Sequence, residues 1–390
     1  IYTLFIKLIS VNKIKAYYFI VFFSLFSFIK AENDDYFFYY NLNVGANLLS
    51  FPLITDNNDI DIFFDNNNTN LISNFNIPEN LVSVISEGQI SLFNENNWVG
   101  SLDEISSSKG YWLILDEPIS FLYNGSSLDY EFYSLHPGSN LISYPFNTEE
   151  SIYDVLPFAS QDMFSAIIGQ NESLLIHENQ FYGSLNTFKP GQGYWFIAND
   201  YSVFNYLNPV NNNSINFNNT LDTEISNVNQ SILQSIYFIE SIYIDGDENI
   251  EEKLLTISCG ENIVGQKNWH EKFSDLIAMG NDGYDWTTDY CNVNESIRIH
   301  DDSLNELYLI KGNDTWIPNS HSIVTLSNAD FGDINFDQIK NIGDIIIMVE
   351  HIADINSIDN NHAILLSDIN SDQIINISDI IINIEDILEN

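Results

Sequence analysis

Basic residues, cysteines and catalytic motifs are all scarce in this chain. Lys and Arg together number 12 against 55 Asp and Glu, for a net charge of −43. A polyanion of that size repels nucleic acid and anionic lipid, so no nucleic-acid partner is expected. There are two cysteines, too few and too isolated for a zinc site. No Gly-x-Ser-x-Gly elbow, phosphate-binding Gly loop, dinucleotide fingerprint or His-Glu-x-x-His run occurs. His270, beside Trp269 and Glu271, is the most reactive-looking of the seven histidines, but a lone histidine nominates no reaction. Paired carboxylates in so acidic a chain carry no meaning without a cleft to hold them. Long apolar runs are absent after the first thirty residues, so no stable membrane span is expected there.

At the front, Lys7, Lys13 and Lys15 precede the apolar stretch 16–29, and Ala31 offers a small residue before Glu32. Residues 1–31 therefore read as a cleaved secretory signal, and the protein as secreted or cell-surface. In that compartment Cys259 and Cys291 are expected to form one disulfide, with two unpaired buried thiols as the alternative.

A chain of 390 residues with 45% apolar content can build two or three cores. An internal repeat organises the first half. Tyr40-Asn-Leu-Asn-Val-Gly-Ala-Asn-Leu-Leu-Ser-Phe-Pro52 is echoed by Tyr133-Ser-Leu-His-Pro-Gly-Ser-Asn-Leu-Ile-Ser-Tyr-Pro145. Trp98 to Leu102 and Gly110 to Ile114 are echoed by Phe181 to Leu185 and Gly193 to Ile197. The offset is 93 from Gly45 to Gly138 but 83 from Trp112 to Trp195, so the first copy carries about ten extra residues, most simply in 56–70. Gly45 and Gly138 are expected where a turn needs positive φ. The segments 77–85 and 151–168 are expected as short helix or loop. Trp98, Trp112 and Trp195 invite a glycan-stacking reading, but their recurrence in apolar strand patterns points to packing.

These patterns give a mainly β fold: β-rich modules at 36–126 and 130–210, a polar linker at 211–221, and a β-sandwich-like domain at 222–328. Within the last, residues 232–244 are expected as a strand pair, with further strands at 254–258, 296–300, 306–310 and 322–326. Asp282 and Asp285 sit in an acidic, Gly-containing stretch that reads better as a solvated turn than as a cation site.

The last sixty residues carry assignable chemistry. Asp333-Ile-Asn-Phe-Asp-Gln-Ile-Lys-Asn-Ile-Gly-Asp344 recurs 35 residues on as Asp368-Ile-Asn-Ser-Asp-Gln-Ile-Ile-Asn-Ile-Ser-Asp379, each followed by an apolar helix. In a twelve-residue Ca²⁺ loop, oxygens come from positions 1, 3, 5, 9 and 12, with the carbonyl of position 7. The expected ligands are Asp333, Asn335, Asp337, Ile339 through its carbonyl, Asn341 and Asp344. The second set is Asp368, Asn370, Asp372, Ile374 through its carbonyl, Asn376 and Asp379. Two Ca²⁺ ions are therefore expected. Position 6, usually Gly, is Gln338 and Gln373, which raises the cost of the sharp turn.

This doubled pattern resembles the dockerin domain and covers residues 331–390. The resemblance implies a small helical Ca²⁺-binding unit that binds a cohesin-like module on a partner protein. The upstream segments, among them Val264 to Trp269 and Ala278 to Gly283, resemble modules of secreted bacterial surface proteins. Residues 342–343 and 377–378 differ from the Ser/Thr pair of one familiar dockerin specificity class. The reading is a secreted modular protein attached to an extracellular complex through its tail. The alternatives are a dockerin-bearing glycoside hydrolase in polysaccharide breakdown, and a glycan-binding or adhesive surface protein.

Overall fold

A computed structural model describes residues 35–389 except 56, 66, 74–76, 95–96, 129–130, 158–161 and 209–227. The expected leader and the whole expected linker lie outside the described residues. The architecture is mainly β, with a curled sheet in its third unit.

Each copy of the repeat builds a five-stranded antiparallel sheet in one shared order. In the first copy the order is Gly45–Ser50, Gly110–Leu115, Leu81–Ser86, Gln89–Asn94, Asn97–Gly100. In the second it is Gly138–Ser143, Gly193–Ala198, Phe164–Ile168, Ser173–His177, Gln180–Gly183. Smaller sheets close the other side of each copy, including the long pair Asp35–Leu42 and Ile119–Ser127.

The repeated Gly-x-Asn phrase has a mechanical reason. Gly45 and Gly138 adopt φ of 88° and 91°, and the Asn two residues on locks the turn. The Asn47 side chain accepts from Asn43 N–H (2.9 Å) and donates to Asn43 C=O (2.7 Å). Asn140 does the same with His136, at 2.9 and 2.8 Å.

The two copies bond to each other reciprocally. Ser50 N–H donates to Gly191 C=O (2.8 Å) and Ser143 N–H to Ser108 C=O (3.1 Å). Leu48 N–H donates to the Gln170 side chain (2.9 Å), and Leu141 N–H to Glu87 (3.1 Å). Alternation along the Gly-Tyr-Trp strands then divides the rings. Tyr111 and Tyr194 enter the core of their own copy. Trp112 and Trp195 enter a joint core with Ile236, Phe238, Phe273 and Ile277 of the third unit. Their packing role holds, but between units rather than within one. Trp98 packs on Phe64 and Phe93.

Two expectations for the repeat change. The one-turn helix Ile60–Phe63 has its counterpart at Ile152–Val155, so the extra residues of the first copy fall after it, between Phe63 and Leu81. Each central segment holds the expected short helix, Ile77–Asn80 and Ile152–Val155, followed by a strand that was not expected, Leu81–Ser86 and Phe164–Ile168. Ile85 and Ile168 pair with Trp112 and Trp195, because β-branched residues suit a two-sided buried sheet.

In the third unit the strands form one continuous eight-stranded sheet that curls on itself. The expected strand pair at 232–244 is one strand, Gln234–Ile244. It runs parallel to Ser320–Ser327 on one side and antiparallel to Ser274–Met279 on the other. Lys253–Cys259, Ile297–His300 and Glu306–Lys311 lie where strands were expected. Cys259 and Cys291 are bonded, with Cα atoms 5.2 Å apart. The buried Asp275 carboxylate joins this unit to the second copy: it accepts from Ser173 and Ser184 hydroxyls (2.7 Å each) and from Lys267 (2.9 Å). A buried carboxylate is tolerable only when so surrounded by donors. No helix among the described residues is long and apolar enough to cross a membrane.

Candidate functional site: the paired loops of the tail

Both twelve-residue loops close through the same hydrogen-bond net. In the first, the Asp333 carboxylate accepts from Asp337 N–H (3.2 Å) and Gln338 N–H (2.9 Å). Asn335 Oδ1 accepts from Asp337 N–H, and Asp337 Oδ1 from Ile339 N–H (both 2.9 Å). Asn341 donates its amide to the Ile339 carbonyl (3.0 Å). Asp344, fully buried, reaches back to accept from Ile334 (2.9 Å), Asn335 (3.2 Å) and Asn341 (3.0 Å) N–H groups.

The second loop repeats nearly all of this net. Asp368 accepts from Asp372 (3.0 Å) and Gln373 (2.8 Å), Asn370 from Asp372 and Asp372 from Ile374 (both 2.9 Å). Asn376 donates to the Ile374 carbonyl (2.9 Å). Asp379 accepts from Asn370 (3.2 Å) and Asn376 (2.9 Å). Gln338 and Gln373 stand at φ of 63° and 67°, the left-handed turn that position 6 requires.

Asp344 also sets the helix that follows. With Asn341 it forms a capping box on Ile342–Ile352, so its charge sits at the positive end of the helix dipole. The helices Ile342–Ile352 and Ile377–Glu389 share a small core of Ile334, Met348, Ala363 and neighbouring isoleucines. Lys340 spans the unit, bonding Asp330 and Asp386 at 2.8 Å each. Gly332, at φ 87°, leaves no room for a side chain against buried Asn383.

The chemistry of the donors is uniform. Each loop supplies three carboxylates, two Asn side chains and a carbonyl, which are hard oxygen donors and suit a hard divalent cation. Asp333 has its pKa raised, first by burial and then by the nearby charges of Asp344 and Asp337, so negative charge is crowded there. The carboxylates are turned onto backbone N–H groups, and among the described residues no group of three or more His, Cys, Asp or Glu is gathered as a metal-holding cluster.

The other sequence candidates lie apart. Asp282 is taken up by structural bonds, accepting from Tyr284 N–H and Thr287 in its own loop and from Ser231 and Ile232 N–H of the segment before Gln234–Ile244. Asp285 opens a single 3₁₀ turn. His270 is exposed and lies 3.1 Å from Glu252.

One buried residue at the joint had no sequence signal. His362 is buried where the tail meets the third unit, its ring stacked between Tyr243 (4.9 Å) and Phe336 (4.6 Å). Its Nε2 lies 2.8 Å from Ser327 Oγ. Burial lowers its pKa to about 4, with Asp245 opposing. Asn360 donates to Gly246 C=O (2.9 Å) beside it. Nothing local in the sequence announces a stack whose members come from three segments.

No family model matches this chain, and no curated protein or solved structure does.

Proposed function

We propose that this is a secreted modular protein whose tail takes two Ca²⁺ ions and docks to a cohesin-like module on a partner. The reading is supported above all by one observation: the duplication extends from the loops to the surface. Ile342, Ile346 and Val349 are exposed at 69%, 51% and 46% on the first helix. Their counterparts Ile377, Ile381 and Ile384 are exposed at 65%, 50% and 39% on the second. Side chains spaced four and three apart share one helix face, so each helix presents an apolar stripe to solvent. Such a stripe is costly to expose and suits a protein partner.

In this reading Asp333, Asn335, Asp337, Asn341 and Asp344, with the Ile339 carbonyl, hold one ion. Asp368, Asn370, Asp372, Asn376 and Asp379, with the Ile374 carbonyl, hold the other. The ion relieves carboxylate repulsion and fixes the helix that each loop begins. The β units are the cargo, and polysaccharide is their proposed environment. Calorimetric titration of the full chain with Ca²⁺ tests the metal half, with two sites expected; no binding at millimolar Ca²⁺ overturns it. Ile346→Asp with Ile381→Asp tests docking: binding to a cohesin module is expected to fall while Ca²⁺ binding persists.

A further inference from the structure

The chain contains a single arginine, Arg298, and it lines a cavity of about 380 Å³ in the third unit. The cavity exists because two neighbouring strands part company. Ile297–His300 and Glu306–Lys311 pair at Ile299↔Leu307 and His300↔Glu306, and the ladder stops there. Beyond it, Ile297 N–H bonds instead to Asp314 C=O, and a bulge between Leu309 and Lys311 turns the other strand away. The opening is walled by Arg298, Glu306, Tyr308, Asp314 and Asp330, with Gly312 behind.

The wall chemistry is selective. Arg298 is exposed and forms no ion pair among the described residues. Asp330 is already engaged by Lys340 at 2.8 Å, which leaves Glu306 and Asp314 as acceptors. Tyr308 adds a partly exposed ring, 37% accessible. An anionic ligand meets Glu306, Asp314 and the field of a chain at −43. A cationic ligand is drawn by that field and by the carboxylates but leaves the Arg298 guanidinium without an acceptor. A neutral ring bearing several hydroxyls satisfies all three: its hydroxyls donate to the carboxylates and accept from the guanidinium, and its apolar face lies on the phenol. The cavity size is that of small-ligand sites, roughly 300–1,000 Å³.

We propose that this cavity is a binding site for a neutral saccharide. It is separate from the loops and stripes of the tail, so either reading can fail without the other. The test uses the full chain, with saturation-transfer NMR and calorimetry. The probes are cello-, xylo- and mannotetraose, with tetragalacturonate and tetralysine as charged comparators. Saturable binding of at least one neutral probe is expected, with the charged probes at least about tenfold weaker. Tyr308→Ala and Arg298→Gln are each expected to weaken the neutral probe by about tenfold, the loss of one good contact. Arg298 has no ion-pair partner among the described residues, so R298Q tests the site even where Y308A disturbs the sheet. The proposal is overturned if no neutral probe binds, if a charged probe binds best, or if binding survives R298Q unchanged.

Discussion

The two tail loops have nearly the same bonds and different surroundings. Asp333 is buried, and Phe336 at position 4 of the first loop reaches out of it to stack on His362 and to touch Gly246 of the third unit. In the second loop position 4 is Ser371, which is exposed, and Asp368 at position 1 is only half-buried. Phe336 and Ser371 nonetheless share a left-handed conformation, φ 62° and 58°. The shape of a loop is thus set by its own short-range bonds, and its attachment by one side chain that the shape leaves free. A small core of Ile310, Ala329 and Leu366 completes the joint on the first side.

The sharpest way to break this comparison is to equalise position 4. Phe336→Ala is expected to cost about 3 kcal/mol, in the range for losing a packed aromatic ring. Ser371→Ala should stay within about 0.5 kcal/mol. Urea unfolding with proteolysis around residue 329 measures both; similar losses would mean that the first loop is no anchor.

Next in size is a pH effect confined to the first side. His362 is neutral in the folded protein because burial brings its pKa to about 4 from the ordinary 6.5. Between these values the unfolded chain takes up a proton that the folded chain refuses. Stability is therefore complete above pH 6.5 and is lost as the pH falls from 6.5 to 4, by on the order of 2–3 kcal/mol. Measured against His362→Phe, the wild-type chain should show this extra acid loss; identical pH profiles would remove His362 from the joint.

Asp344→Asn and Asp379→Asn probe what the loops share. Each removes a charge that accepts from two or three N–H groups, and each should cost about 1–2 kcal/mol. Each should also abolish Ca²⁺ uptake at its own loop while sparing the other, read by calorimetric stoichiometry. Loss of both sites in either variant would show that the loops do not act separately. The smallest expected effect is a gain. Gln338→Gly and Gln373→Gly relieve positive φ and should each stabilise by about 1 kcal/mol or less. Unequal gains would reveal strain that the common geometry hides.

Much of this was legible from residues alone. Each Asp- and Asn-rich segment of the tail is followed by a helix, Ile342–Ile352 and Ile377–Glu389, as expected, while a third helix, Asn361–Ser367, was not expected. The repeat marked two sheets of one strand order. What escaped was every feature made by distant segments. The strands of the third unit were largely recognisable, but their joining into one curled sheet was not. Nothing local in Gln234–Ile244 names Ser320–Ser327 as its parallel neighbour. The reading of 151–168 as short helix or loop holds at Ile152–Val155 and misses the strand Phe164–Ile168, because a short apolar run does not reveal its period until its neighbours are known.

Short-range bonding and periodicity are enough to give the turns closed by Asn47 and Asn140, the loops closed by Asp344 and Asp379, and the alternation along the Gly-Tyr-Trp strands. What each resulting face meets follows from long-range packing alone. Trp112 and Trp195 are covered by the third unit, while Ile346 and Ile381 are left to solvent. His362 lies between two rings brought to it from elsewhere in the chain. The physical reason is range: a hydrogen bond across a loop needs only neighbours in the chain, whereas burial depends on which distant surface arrives.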